Sequence, residues 1–252
     1  LDEAITDRTK VVVINSPSNP CGTVYLPDEL KALAEVLIRH PQVTLMSDEI
    51  YEKMIYPELD SAVSHFSLGS MPELAQRTIT INGLSKAYAM TGWRTGYLAT
   101  PSGDGDFAAH AGKMHSQMLS SIPAFCMPAI VEALEHGAAE VERMRLSFAR
   151  RGALMYGLLD AIEGIRCVKP LGAFYCFPEL SGCFGRRSPG GVVINDAIDF
   201  CTALLEEANV AVVPGTDFGP TAAGCSRLSF AASEDDIQRG CKRFAAFVSS
   251  LI

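Results

Sequence analysis

No stretch of the 252 residues approaches the run of about 18 consecutive apolar residues that a membrane-spanning helix needs. Concentrated positive charge is missing as well. Apart from Arg143/Arg145 and Arg150–Arg151, whose spacing suits a solvated helix face, basic residues are dispersed. A net charge of −8 is the wrong sign for a nucleic-acid surface, so no nucleic-acid partner and no membrane partner are expected. The eight cysteines at 21, 126, 167, 176, 183, 201, 225 and 241 include no CxxC pair and no metal-ligand spacing. No metal site is expected, and the cysteines read as reduced, partly buried thiols of a cytoplasmic protein. There is no internal repeat, no low-complexity tract, no initiator methionine and no signal peptide. Leu1-Asp2-Glu3-Ala4-Ile5 reads like the middle of a domain, which predicts a preceding segment. What remains is ordinary for a soluble enzyme: 48% hydrophobic and 20% charged residues, enough for one large domain or a domain and a half.

The most informative stretch is residues 79–100, ITINGLSKAYAMTGWRTGYLAT. The alternating run Thr78-Ile79-Thr80-Ile81 predicts a buried strand, which Asn82-Gly83 is expected to break. Lys86 follows at once, among Gly83, Leu84, Ser85 and Ala87, with no other charge between Arg77 and Arg94. A lysine just past the C-terminal end of a buried strand lies where open α/β sheets bind ligands. Desolvated there, it loses its proton readily and can form a Schiff base. Alone, Lys86 would pass for a solvated surface charge; its small, uncharged neighbours favour the other reading.

The rest of the chain alternates in type. Residues 9–15 form a β-branched run of the kind found in central parallel strands, followed by the loop Ser16-Pro17-Ser18-Asn19-Pro20-Cys21-Gly22-Thr23. Leu30, Leu33, Ala34, Leu37 and Ile38 mark an amphipathic crossover helix from Pro27 to about His40. Residues 43–47 are the next strand, ending on Asp48-Glu49-Ile50-Tyr51, and 57–76 read as a polar loop. Helix is expected over 107–124, with Met114, Met118 and Leu119 in the core and His110 and His115 on the surface. A second helical stretch covers 128–162 with a break near Gly137. Residues 165–168 and 173–177 read as a hairpin, 182–191 as a loop, 197–208 as helix, 210–213 as strand and 225–231 as strand. Ser233 caps a final helix with an acidic first turn.

Three side chains have everyday explanations in isolation: Asn19 as a turn residue, Asp48 as a helix cap, and Arg227 as an edge-strand arginine paired to a structural acid. Taken together with Lys86 they carry a resemblance. The string Ser85-Lys86-Ala87-Tyr88-Ala89-Met90-Thr91-Gly92-Trp93-Arg94 is similar throughout to the lysine signature of the fold-type I, class I and II aminotransferases, which use pyridoxal 5′-phosphate. The asparagine loop, with Cys21 where threonine is more usual, the Asp-Glu-Ile-Tyr string and the Gly172-Ala173-Phe174-Tyr175 string resemble further motifs of that family. So does Arg227 behind Pro214-Gly215-Thr216-Asp217-Phe218-Gly219.

The resemblance covers essentially the whole chain, with Asn19, Asp48, Tyr51, Lys86, Arg94 and Arg227 in family order. It implies that Lys86 carries the cofactor, Asp48 pairs with the pyridine nitrogen, and Asn19 and Tyr51 bond the phenolic oxygen. Arg94, with Ser85, would hold the phosphate; Arg227, beside Asn19, would bind the substrate α-carboxylate. Glu49, Gly92 and Trp93 read as structural. One departure is Gly83, where many relatives carry a phosphate-binding serine. The fold implied is α/β: a mainly parallel large domain, incomplete here, over 1–164 including the connecting helix, and a small α/β domain over 165–252. The implied activity is amino transfer between an L-amino acid, aspartate-like or broad in range, and a 2-oxo acid, in a homodimer. Three rivals remain at this level: another reaction on the same scaffold, of C–S lyase or cyclopropane-forming type; the effector domain of an aminotransferase-like transcription regulator; and a cofactor-free scaffold, which six retained positions disfavour.

Overall fold

The β-branched run after Lys10 becomes β1 (Val11–Asn15), the first strand of a four-stranded sheet. Branched side chains restrict χ1 and pack well on a pleated surface, so Val-Val-Val-Ile favours strand over helix. Pro27 opens α1 (Pro27–Arg39), where its fixed φ suits the first turn, and Glu29 reaches back to accept the Leu26 N–H at 2.7 Å. Leu30, Ala34 and Leu37 of α1 are buried with Ile5, Val43, Leu45, Leu68 and Leu74. Each leucine so buried contributes roughly 1.5–3 kcal/mol by leaving water. The helix returns the chain to β2 (Thr44–Asp48), parallel to β1, and a short helix α2 (Pro72–Ala75) leads to β3 (Thr78–Gly83), parallel to β2. β4 (Gly96–Ala99) is antiparallel to β3, and the order is β1-β2-β3-β4.

The expected break at Asn82-Gly83 does not occur. Both residues belong to β3 and pair with Tyr97 and Gly96. Sheet pairing overrides their turn preference, and glycine is required for closeness: a Cβ on Gly83 would lie 3.0 Å from Gly96 Cα and from the Thr95 carbonyl oxygen. Three helices follow: α3 (Gly105–Leu119), α4 (Cys126–His136) and α5 (Ala138–Asp160). The expected break at Gly137 is the junction of the last two. α3 stops before the expected Ala124, at Ser120, which has a left-handed φ of 64°. Met114, Met118 and Leu119, expected in the core, are 65%, 74% and 69% exposed. Their spacing marks an apolar side of the helix but does not say what covers it.

Beyond α5 come β5 (Tyr175–Cys176), α6 (Ala197–Ala208), β6 (Val213–Pro214), β7 (Ser226–Ser229) and α7 (Glu234–Ser250). The strands form an antiparallel sheet in the order β5-β7-β6. Ser233 caps α7 as expected, accepting the Asp236 N–H at 3.1 Å, and Asp196 caps α6 through the Ile198 and Asp199 N–H groups. The expected hairpin of 165–168 with 173–177 is absent. β5 pairs with β7 instead, and the earlier segment contributes only the single bridge Arg166–Glu179. The strand expected over 210–213 shrinks to two residues at its end, and that expected over 225–231 to Ser226–Ser229.

The described residues, 1–101 and 105–252 of the computed structural model, fall into two compact units. The first comprises 1–17 and 24–145, the second 18–23 and 146–252, so the chain passes finally from one to the other within α5. The second unit is centred on Phe200, whose ring lies 5.4 Å from those of Phe244 and Phe247. Phe200 and Phe244 are fully buried. Phe244→Ala should therefore cost about 3–5 kcal/mol in denaturant unfolding, while Leu205→Ala, on the exposed side of α6, should stay within about 0.5 kcal/mol. Equal effects from the two would mean that these rings are not the core.

Candidate functional site

In the first unit the parallel register sets Asn15, Asp48 and Ile81 side by side across β1, β2 and β3, at the C-terminal ends of the first two strands. Asn15 Nδ2 donates to the Asp48 carbonyl at 3.3 Å. No helix follows Asp48, so the capping explanation fails; its Oδ1 accepts the Ile50 N–H at 3.2 Å in a local turn. The chain then doubles over Glu49–Lys53 and buries Tyr51, which is 2% exposed. Lys86, just past β3, brings Nζ to 5.7 Å from the centre of the Tyr51 ring. The antiparallel rung Gly83–Gly96 and the Leu84 N–H to Thr95 carbonyl bond at 3.3 Å end the pairing; Ser85 then enters a turn after β3, and Arg94 lies two residues before β4. Arg94 adopts a left-handed φ of 53° and is exposed, its Nη1 donating to the Thr91 carbonyl at 3.0 Å. Lys86, Tyr51, Asp48, Ser85 and Arg94 thus all belong to one unit, the first four on segments leaving adjacent strands and Arg94 on the segment that enters β4.

Behind Asp48 lies a network that sequence reasoning anticipated only in treating Glu49 as structural. Glu49 is 4% exposed. Its Oε1 accepts from Ser47 Oγ at 2.9 Å and Ser67 Oγ at 2.6 Å, and its Oε2 lies 3.0 Å from His65 Nε2. Burial pushes the Glu49 carboxyl up, but the hydrogen bonds from His65, Ser67 and Ser47 together outweigh it and hold the group below the ordinary 4.5. His65 and Ser67 sit in the stretch read as a polar loop, where only their distance from Glu49 in the fold gives them meaning.

The second unit contains the other two anchors. The loop 18–23 closes on itself through Ser18 N–H to the Thr23 carbonyl and Gly22 N–H to the Ser18 carbonyl, both 2.9 Å. Gly22 has φ +69°, and a Cβ there would lie 2.3 Å from the Tyr175 carbonyl oxygen. Arg227 stands on β7, the central strand, not on an edge. Its Nη1 donates to Asn19 Oδ1 at 2.8 Å, and its guanidinium lies between the rings of Tyr175 and Phe218, 4.8 and 4.9 Å from their centres. The structural acid of the everyday reading is replaced by an amide and two aromatic faces. Neither ring was singled out from sequence as a partner of Arg227, though both lie in strings quoted for the resemblance.

Comparison with known proteins gives the same direction throughout. The sequence model of the family described as aminotransferase class I and II matches residues 1–244. The aspartate/prephenate aminotransferase of Cereibacter sphaeroides is 42% identical over 253 residues, covering 100% of this chain and 61% of the relative. The aspartate aminotransferase of Geobacillus stearothermophilus is 41% identical over 251 residues, covering 99% and 60%. Among solved structures, the Rhizobium meliloti aspartate aminotransferase superposes with a TM-score of 0.91 at 39% identity, covering all of this chain and 61% of that one. The chain therefore spans about three fifths of the length of these relatives, and its fold is that of the fold-type I enzymes.

A carboxylate whose pKa is lowered on folding contributes stability above its unfolded value, and that contribution is lost as the pH falls through the folded value. Glu49→Gln should accordingly be less stable than the parent at pH 7, by about 1–3 kcal/mol, because buried donors lose a charged acceptor. The gap should close as the pH drops below the ordinary 4.5. Unfolding midpoints of both proteins across that range decide it; a gap independent of pH would refute the assignment.

Proposed function

The chain belongs to the class I and II aminotransferases, and from that premise we propose that the whole protein moves an amino group between an L-amino acid, aspartate-like or broad in range, and a 2-oxo acid. Aminotransferases of this family and fold use pyridoxal phosphate. The observation that carries the reading is the placement of Lys86, Tyr51 and Asp48 on segments leaving adjacent strands of one sheet. The donor set suits the group: a carboxylate for a pyridine nitrogen, a phenol for a phenolic oxygen, an amine for an aldehyde, and a hydroxyl and a guanidinium for a phosphate. Gly83 offers no hydroxyl and, against Gly96, has no room for one.

When bound, the cofactor supplies an electron sink for the carbanion at the substrate Cα. Lys86 would hold the cofactor covalently, and its Nζ would accept the proton from the substrate Cα. Asp48 would keep the pyridine nitrogen protonated and Tyr51 would bond the phenolic oxygen, while Asn19, which accepts a bond from Arg227, would serve at the substrate end. Ser85 and Arg94 would anchor the phosphate. Arg227 presents a planar fork to the substrate α-carboxylate, held between two rings that fix its plane. The reading extends to assembly as a homodimer and to a cytoplasmic setting; among the described residues no helix is long and apolar enough to cross a membrane.

Added pyridoxal phosphate should produce a visible absorption band, and borohydride should then fix the cofactor irreversibly to the peptide containing Lys86. Lys86→Ala should lose amino transfer by at least about 100- to 10,000-fold. Label elsewhere on the intact protein, or normal turnover in Lys86→Ala, would overturn the proposal. Arg227→Lys keeps the charge but loses the fork, so KM for the amino acid should rise about tenfold or more, the size of one charge-assisted hydrogen bond. An unchanged KM would remove Arg227 from substrate binding.

A further inference from the structure

The second unit also contains a cavity of about 820 Å³, whose lining includes Cys21, Cys167 and Cys225. All eight cysteines are free thiols, and the reaction proposed above uses none of them. Cys167 has an arrangement of its own. The antiparallel bridge between Arg166 and Glu179 sets two extended segments side by side, so Cys167 and Cys176 fall on the same face of the pair. The Cys167 Sγ donates to the Val168 carbonyl at 3.5 Å, and the Cys176 thiol and the Phe177 N–H are the neighbouring groups that act on its sulfur. The open cavity gives a small solute access to Cys167, while Cys176 lies fully buried behind it.

We propose that Cys167 and Cys176 are a peroxide-responsive dithiol, with Cys167 as the attacking sulfur and Cys176 as the resolving one. The hydrogen bond from Cys176, helped by the Phe177 N–H, holds the Cys167 thiol below the ordinary 9.0, although burial opposes it. The same bond, then burial, pushes Cys176 well above that value. The sulfur that lines the cavity is thus the one whose ionisation is favoured, and the fully buried one the sulfur whose ionisation is opposed, which is the division of labour this chemistry needs. Burial raises both Cys21 and Cys225, so the other thiols of the cavity react more slowly.

The steps balance with hydrogen peroxide as oxidant. The Cys167 thiolate attacks one peroxide oxygen; the S–O bond forms, the O–O bond breaks, and the departing hydroxide takes a proton to become water. Cys176 then gives up its proton and attacks the oxidised sulfur; the S–S bond forms, the S–O bond breaks, and a second water leaves. The two thiols supply the two electrons, and a dithiol reductant reverses the change. Cys176 directly follows Tyr175, the ring that stacks on Arg227, so the crosslink would form one residue from that stack. The inference itself stands independently of the amino-transfer reading.

The test uses the full chain, reduced, desalted and exposed to stoichiometric hydrogen peroxide. Two of the eight thiols should disappear together. Chymotrypsin, which cuts at Phe174 and Tyr175 between the two cysteines, should release under non-reducing conditions a crosslinked pair of peptides containing Cys167 and Cys176. Cys176→Ser should stop at the first oxidation, leaving Cys167 open to a sulfenic-acid-specific probe such as dimedone, and Cys167→Ser should leave Cys176 as a thiol. Circular dichroism shows whether each variant is folded, and the crosslink in the unsubstituted chain decides the matter if one is not. Loss spread over Cys21, Cys225 and the rest, or a crosslink between other cysteines, would overturn the proposal.

Discussion

The register that sets Asn15, Asp48 and Ile81 abreast is the constraint on which the first unit's site depends. Side chains in an extended chain alternate between two sides, so consecutive residues at the end of β2 have opposite fates. Ser47 and Glu49 share one side and meet in a buried network, while Asp48 faces away from it. Slipping β2 by one position would exchange the two carboxylates and place the wrong one in the buried network. Register is therefore fixed by hydrophobic and polar burial together: Leu45 in the core and Glu49 satisfied by Ser47, Ser67 and His65.

The second unit meets a different constraint, that of a half-buried guanidinium on a central strand. A cation there must recover the hydration it loses. A carboxylate partner would do this at the cost of neutralising the charge. Arg227 is instead held by an amide oxygen and two ring faces, all uncharged. Its positive charge thus remains available to an anion, and the stacked rings spare it the entropy of finding its plane when one arrives.

Much of this was legible in the chain itself. α1 starts at Pro27 and α6 runs over the stretch read as helix, because proline placement and apolar spacing are local signals. The order of the anchors could be read because Asn19, Asp48 and Lys86 each follow a β-type run, whereas Arg94 and Arg227 were placed by the resemblance. What escaped depended on partners distant in sequence. Asn82-Gly83 has the composition of a turn, and only β4 lying against it makes it strand. The apparent hairpin after Ile165 has suitable residues, but β7 competes successfully for β5. Met118 has an apolar pattern without a covered face, and periodicity cannot tell these apart. His65 and Ser67 carry no signal until Glu49 is known to be buried beside them.

The bond from Arg227 to Asn19 joins residues 208 apart in sequence, and the loop 18–23 belongs to the unit that is otherwise made of residues 146–252. During synthesis, then, the asparagine loop emerges long before anything it packs against. At about 5–20 residues per second, Asn19 waits on the order of 10–40 s for Arg227 to be made. β1, α1 and β2 can begin to pack during that interval around a loop whose own framework does not yet exist. The entropy of closing so long a loop grows only logarithmically with its length, so the delay costs time far more than stability. Until the last strand of the small sheet is in place, the asparagine loop lacks the Arg227 side chain that its amide oxygen accepts from.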